Sequence, residues 1–142
     1  MTIAAAEHRH GILAPSMIGV VLSLATLPVH LYVDHATSVE LAGTLIAAIG
    51  AIYVGFAIQV GTARVVAVEG AVATLFIAAG LASLWLSPWI APAAYALHGV
   101  WDWLHHGRGH SRDLVTPRAW YPPFCAAYDW IFAAGLTAIW LA

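Results

Sequence analysis

Long apolar stretches separated by short polar breaks dominate the hydrophobic pattern of the chain. A helix that spans a membrane needs about 20 mainly apolar residues, and five stretches approach that length. They cover residues 12–33, 39–60, 65–86, 89–106 and 122–142. The fourth stretch is the shortest and runs into a strongly polar segment. The pattern predicts an all-α fold, an integral membrane bundle of five transmembrane helices in a single domain.

Prolines and one arginine indicate where the helices break. Pro88 follows the third stretch, and Pro122 and Pro123 open the fifth. Proline suits a first helical turn, where its missing N–H would be unpaired in any case. The second and third stretches join through residues 59–64, which could also continue as one long helix. Arg64 favours a break at this point.

The distribution of arginines predicts the orientation of the bundle. The chain has no lysine, and its five arginines fall at the N-terminus, in the turn at 61–64 and in the connection at 107–121. In a five-helix bundle these three segments share one side of the membrane. Because positively charged segments remain in the cytoplasm, we expect a cytoplasmic N-terminus and an external C-terminus. Four helices would bury Arg64 or divide the arginines between the two sides.

The composition also indicates a membrane protein. Hydrophobic residues make up 62% and charged residues 8%, whereas a soluble domain carries about 25% charged residues. A net charge of −2 without a basic stripe argues against nucleic-acid binding, so membrane lipids are the expected partners. The N-terminal segment lacks a signal-peptide cleavage pattern, and we expect the first helix to be retained. The sequence is compatible with a homo-oligomer or with a larger membrane complex.

Ionisable residues inside the apolar stretches provide the candidate chemistry. Such a group costs about 2.5–3.5 kcal/mol at the centre of a membrane helix, so a functional role is the default expectation. The fourth stretch places three histidines and one aspartate on one helical face, at about 100° per residue. From the helical rise of about 1.5 Å per residue, Glu69 and Asp129 lie at a similar depth. The candidate metal ligands are Glu69, His98, Asp102, His105, His106 and Asp129.

Imidazoles mixed with carboxylates form the ligand set of zinc and of non-haem iron. We therefore expect one or two divalent metal ions as cofactors. His98 and His105 are about 10.5 Å apart along the helix axis, so both reach one ion only at full stretch. Glu69 and Asp129 are the candidate catalytic residues, as general bases. The alternative interpretation is that these His–Asp contacts are interhelical hydrogen bonds.

A second polar group is predicted at the opposite face of the membrane. It consists of His30, Asp34, His35 and Glu40. Asp34 and Glu40 fall at the water interface, and Glu40 is placed to favour a helix N-terminus. Both a second metal site and a set of interfacial residues fit this pattern.

Residues 90–142 resemble a family of small bacterial membrane proteins known as a domain of unknown function. The similarity rests on a His-x-x-Trp-Asp-x-x-His-His run that begins at His98, and on a Cys-x-x-x-Asp pattern formed by Cys125 and Asp129. A looser similarity is to membrane-embedded metal hydrolases of the alkaline ceramidase type, which use His and Asp ligands on transmembrane helices but have more spans. The first resemblance implies a multi-pass protein of the bacterial inner (cytoplasmic) membrane.

The candidate metal ligands favour a membrane metalloenzyme, either a hydrolase or an oxidoreductase. Such an enzyme would act on a lipid-phase substrate from the cytoplasmic side. Buried carboxylates and histidines also build proton and metal-ion paths, so a transporter is the first alternative. A b-type haem protein with His30 and His98 as axial ligands is another. In a fourth interpretation the chain is an accessory membrane subunit whose buried polar groups only join helices.

Overall fold

The computed structural model describes residues 3–60, 62–106 and 114–142, with side chains from residue 11 onward except that of residue 60. Every regular element in these residues is a helix. The helices are α1 (Ile3–Thr26), α2 (Val29–Tyr32), α3 (His35–Gly50), α4 (Ile52–Val60), α5 (Ala63–Trp85), α6 (Ile90–His105) and α7 (Tyr121–Leu141). The predicted all-α fold is confirmed for this part of the chain.

The helix boundaries differ from the predicted ones at both ends, and the first predicted helix, 12–33, is divided into α1 and α2 by an interruption after Thr26, next to Pro28. α1 begins at Ile3 rather than near residue 12. α3 begins at His35 rather than near residue 39, because the Asp34 side chain accepts the Thr37 N–H at 3.0 Å and caps the helix. The predicted break between the second and third stretches is confirmed by the end of α4 and the start of α5.

Within the described residues, four helical segments are long and apolar enough to cross a membrane, and two of them join consecutive elements, α1 with α2 and α3 with α4. They are Gly11–Tyr32, His35–Gln59, Ala63–Trp85 and Tyr121–Leu141. The predicted fourth span is also a helix, but α6 has only 16 residues. That corresponds to about 24 Å at 1.5 Å per residue, which is shorter than the hydrocarbon core of about 30 Å. The crossing by α6, and with it the five-span topology, stays a prediction.

Helix α6 links the two groups of helices in the fold, because it packs against α7 on one side and against α5 and α3 on the other. Helix α7 packs against α1 on one side and α6 on another, while α5 packs against α3, α4 and α6. Among the described residues, α1 and α3 share no closely packed interface. The main apolar core includes Ile46, Phe76, Tyr95, Phe132 and Leu136. Large aliphatic and aromatic side chains also cover the outer surface, as expected where the surrounding solvent is lipid.

Two glycines allow α3 and α5 to approach closely. A Cβ added to Gly43 would lie 2.7 Å from the carbonyl oxygen of Gly80, and a Cβ added to Gly80 would collide with the carbonyl oxygen of Gly43. Small residues at helix crossings are a main source of helix association in membranes, because they permit extensive van der Waals contact. This crossing fixes the position of α5 and therefore that of Glu69.

We expect Gly80→Ala to lower the free energy of unfolding by about 1–3 kcal/mol, because overpacking forces the two backbones apart. Gly70→Ala on the same helix is the matched control, since no atom lies within 4 Å of its added Cβ. The control should be neutral or stabilising by up to about 1 kcal/mol through helix propensity. Titration with SDS in mixed micelles measures both variants. Equal losses in the two variants would contradict the close crossing.

Candidate metal centre

Helices α6 and α7 position the central residues of the site. His98 and Asp102 are one helical turn apart on α6 and therefore share a face. Gly99 lets α7 come close, because a Cβ at this position would lie 2.6 Å from the indole Nε1 of Trp130. Trp130 Nε1 donates to the carbonyl oxygen of Ala96 at 3.2 Å. This contact sets the register of α7, and the neighbouring Asp129 faces His98.

Three residues form a compact buried group, which we call the His98–Asp102–Asp129 cluster. His98 Nδ1 donates to Asp129 Oδ2 at 2.7 Å, and it lies 3.2 Å from Asp102 Oδ2. One potential ligand atom from each of the three residues lies within 4.8 Å of the other two. The three residues are 0–2% exposed. Side chains that are far apart in the sequence thus converge in the interior of the bundle.

Several polar atoms of the cluster lack hydrogen-bond partners among the described residues. They are His98 Nε2, both carboxylate oxygens of Asp102, and Asp129 Oδ1. A buried polar group without a partner costs about 1–3 kcal/mol, so four in one place need a compensating interaction. One imidazole and two carboxylates are the donors that zinc and non-haem iron take in proteins. The residues of the cluster therefore fit a divalent metal ion.

Apolar and aromatic surroundings strengthen the electrostatic interactions between the residues of the cluster. The Phe76 ring meets the His98 ring edge-on, with centroids 4.8 Å apart. The Tyr53 hydroxyl is a further buried polar group without a hydrogen-bond partner among the described residues. Two carboxylates that face one imidazole in apolar surroundings repel each other strongly, because the low dielectric screens them little. A bound cation would remove this repulsion.

A second buried pair, Glu69 and His105, connects α5 to α6. His105 Nε2 and Glu69 Oε1 are 2.9 Å apart, and the Val115 N–H also donates to Glu69 Oε1, at 3.1 Å. His105 Nδ1 donates to the carbonyl oxygen of Trp101 at 2.8 Å. Since that carbonyl can only accept, Nδ1 carries a hydrogen. One proton is shared between His105 Nε2 and Glu69 Oε1. If it lies on His105, the pair is an imidazolium and a carboxylate, and if it lies on Glu69, both residues are neutral. The pair has no net charge in either arrangement.

Tyr53 links this pair to the cluster and was missed by the sequence analysis. Its ring stacks on the His105 ring at a centroid distance of 4.1 Å and lies 6.4 Å from the His98 ring. Tyr53 is 1% exposed. The sequence does indicate such a residue, because a tyrosine inside an apolar stretch is expected to be buried, and a buried phenol hydroxyl usually has a polar partner.

The structure divides the six predicted ligands into three sets. His98, Asp102 and Asp129 form the cluster, whereas Glu69 and His105 form the separate pair. The reason is the separation of two helical turns between His98 and His105, which places the two imidazoles at different depths. The third set is His106, which lies at the end of α6, with its ring 5.3 Å from that of Trp103 and outside the cluster.

His30, from the predicted second group, takes part in a different contact. His30 Nδ1 lies 2.7 Å from the Ser38 hydroxyl oxygen. Trp140 Nε1 donates to the same oxygen at 2.8 Å. The Ser38 hydroxyl therefore has hydrogen-bond contacts with both rings. This network joins α2, α3 and α7, and it accounts for the buried His30 without a metal ion.

The other members of the second group are dispersed. The Thr37 backbone N–H and hydroxyl both donate to Asp34 and hold the pKa of its carboxyl below the ordinary value. The His35 ring packs on Trp140, and Glu40 is exposed. Within the described ranges, the four predicted residues do not form a group that could hold a metal ion.

The described part of the connection that follows α6, from residue 114 onward, lies over the Glu69–His105 end of the bundle. Val115 is 3% exposed and packs with Tyr53, Ala57 and Val65. Residues 107–113, with two of the arginines used to predict the orientation, lie outside the described residues. The described part of this connection is therefore tied to α5 by the Val115 N–H and by apolar contact.

A cavity of about 210 Å³ reaches the cluster from the side of the bundle. We call it the lateral cavity. His98 and Asp129 line it, whereas Asp102 and Glu69 do not. Of the two cluster carboxylates, only that of Asp129 is therefore accessible to a molecule in the cavity.

Comparison of the chain with protein-family models, with curated proteins and with solved structures found no match.

Proposed function

We propose that this chain is a membrane-embedded metalloenzyme that binds one divalent ion, zinc or iron, at the His98–Asp102–Asp129 cluster and acts on a lipid-phase substrate. The observation that carries the proposal is the convergence of four buried polar atoms that lack hydrogen-bond partners in the described part of the chain. Ionisable residues at membrane depth are costly, and they are usually kept for function.

The Glu69–His105 pair supplies an internal comparison. There, both imidazole nitrogens have partners, and Glu69 Oε1 has two. Only Glu69 Oε2 lacks a partner among the described residues. A pair that merely joins helices is thus nearly satisfied in this protein, whereas the cluster is not. The contrast favours ligand binding at the cluster over a purely structural role.

The residues of the cluster can be given separate tasks. A divalent ion supplies a Lewis acid that polarises a carbonyl group or activates water or oxygen. Asp102 would hold the ion from the side away from the lateral cavity, since Asp102 does not line it. Asp129 lines the cavity, and its carboxylate would both help to hold the ion and offer a second oxygen, the unpartnered Oδ1, to accept a proton from a reacting molecule. Glu69, predicted as an alternative base, is engaged with His105 and Val115 instead.

The lateral cavity also favours an enzyme over an ion path. A path for protons or metal ions would be lined with polar groups, whereas the walls of the cavity are mostly apolar. We further propose that the cluster faces the cytoplasmic leaflet of a bacterial inner membrane, in a five-span topology. This orientation is supported by the arginines of the 107–121 connection, which adjoins the same end of α6 and α7.

A lipid-turnover assay tests the proposed activity. Protein loaded with zinc, or with ferrous iron in air with ascorbate as the electron donor, is incubated with a total bacterial lipid extract, and the products are analysed by mass spectrometry. Asp129→Asn should lower turnover by about 10²–10⁴-fold, the usual contribution of a general base. Products that have gained water indicate hydrolysis, and products that have gained oxygen indicate oxidation.

Glu40→Gln is the control variant, because Glu40 is an exposed carboxylate outside the site. It should turn over the same lipids as the wild type. If lipid profiles after incubation with wild type and with Asp129→Asn are identical for both metals, the chain is not a lipid-modifying enzyme.

A further inference from the structure

The lateral cavity lies where α1 and α3 leave a gap. Its walls come from α1, α3, α4, α6 and α7, with Leu22, Leu45, Ile49 and Phe124 among them. Because α1 and α3 share no closely packed interface in the described residues, the cavity opens between these two helices.

The side chains at the rim of the cavity are much more exposed than those at its floor. Leu22 and Ile52 at the rim are 44% and 40% exposed, respectively. His98 and Asp129 at the floor are 2% and 1% exposed, respectively. The cavity therefore connects the outer surface of the bundle with the His98–Asp102–Asp129 cluster.

The opening lies at the depth of the hydrocarbon core. Leu22 falls at the middle of the candidate span Gly11–Tyr32. That position is about 16 Å from either end of the span at 1.5 Å per residue, well inside a hydrocarbon layer of about 30 Å. A molecule that enters here comes from among the lipid chains rather than from water.

The size and polarity of the cavity define what fits. Its volume of about 210 Å³ is below the roughly 300–1,000 Å³ of sites for drug-sized ligands. It has room for one chain segment and none for a bulky head group. The walls from α1, α3 and α4 are aliphatic, whereas α7 adds the amphipathic side chains of Tyr121, Cys125 and Tyr128. The carboxylate of Asp129 and the imidazole of His98 stand at the floor. This distribution complements a hydrocarbon chain that carries a single polar group.

We propose that the lateral cavity binds the linear alkyl chain of a single-chain amphiphile, such as a fatty amide, ester or alcohol, with its polar group at His98 and Asp129. The inference rests on the proposed function, for which it names the substrate class. It also gives α1 a task, since α1 forms one wall of the entrance without contributing to the cluster.

Photolabelling tests the proposal. A long-chain alcohol that carries a diazirine on its alkyl chain is photolysed with the protein in lipid nanodiscs, and the labelled peptides are identified by mass spectrometry. We expect labels on the α7 segment from Phe124 to Tyr128. Leu45→Trp fills the cavity from α3, and it should lower this labelling by at least about tenfold through steric exclusion. Leu75→Trp is the matched control, because Leu75 is 69% exposed on α5 and does not line the cavity.

Leu22→Trp at the exposed rim provides a second blocking variant that does not depend on core packing. If neither Leu45→Trp nor Leu22→Trp lowers labelling of α7, or if α7 is labelled no more than the surface around Leu75, the alkyl-chain proposal is wrong. Metal content separates this outcome from failure of the proposed function. Both blocking variants should retain bound metal, whereas Asp102→Asn should lose it and still be labelled, since Asp102 does not line the cavity.

Discussion

Replacement of Glu69 by leucine should lower the free energy of unfolding by about 3–5 kcal/mol, the usual cost of removing one partner from a buried ion pair. Glu69 and His105 are 1% and 3% exposed. The variant leaves His105 Nε2 and the Val115 N–H without their acceptor.

A double-mutant cycle isolates the pair from the effect of the substitutions themselves. His105→Phe keeps a ring to stack on Tyr53, and the double variant Glu69→Leu/His105→Phe replaces both partners with apolar groups of similar size. Such replacements are often nearly neutral, so the double variant should be more stable than Glu69→Leu alone. SDS titration in mixed micelles measures all four proteins. Strictly additive losses would mean that the two residues do not stabilise the protein as a pair.

The long apolar stretches of the sequence were sufficient to predict an all-α fold, because membrane helices need apolar runs that little else in a chain resembles. The prediction was less accurate at the ends of the helices. The start of α3 depends on a cap formed by Asp34 and Thr37, and the interruption at Ala51 inside the second stretch depends on a single tightened turn, from the Ala51 N–H to the Ala48 carbonyl oxygen at 3.2 Å. Neither feature changes the hydrophobic pattern.

The site was predictable where a single helix determines it. His98 and Asp102 share a face of α6 by helical geometry alone, and their contact follows from it. The choice of Asp129 rather than Glu69 as the third member depends on how α7 and α5 rotate against α6. Trp130 and Gly99 set that rotation for α7 through a contact that no spacing reveals. The contribution of Tyr53 likewise depends on the packing of α4.

Asp102→Asn should have opposite effects on stability with and without metal. In the metal-free protein the variant should gain about 1–3 kcal/mol of unfolding free energy, because it removes one of two facing carboxylates and provides an amide that can donate to Asp129. With zinc at 100 times the dissociation constant, the wild type should gain about 2.7 kcal/mol by linkage, and the variant should gain almost nothing.

Asp34→Asn is the control for this experiment, because it replaces an exposed carboxylate that caps α3. Asparagine is also a good N-cap, so the control should keep the response of the wild type to zinc. A metal-free Asp102→Asn variant that is less stable than the wild type would show that Asp102 serves to join the helices.

Elemental analysis of the purified protein tests the metal centre most directly. The chain is expressed with a tag that contains no histidine, extracted without chelator and without added metal, and measured beside Asp102→Asn. Because the free energy of metal binding contributes to the stability of the folded site, we predict about one zinc or iron ion per chain in the wild type and almost none in the variant. A wild type without metal, or equal metal content in the two proteins, would contradict a metal ion at His98, Asp102 and Asp129.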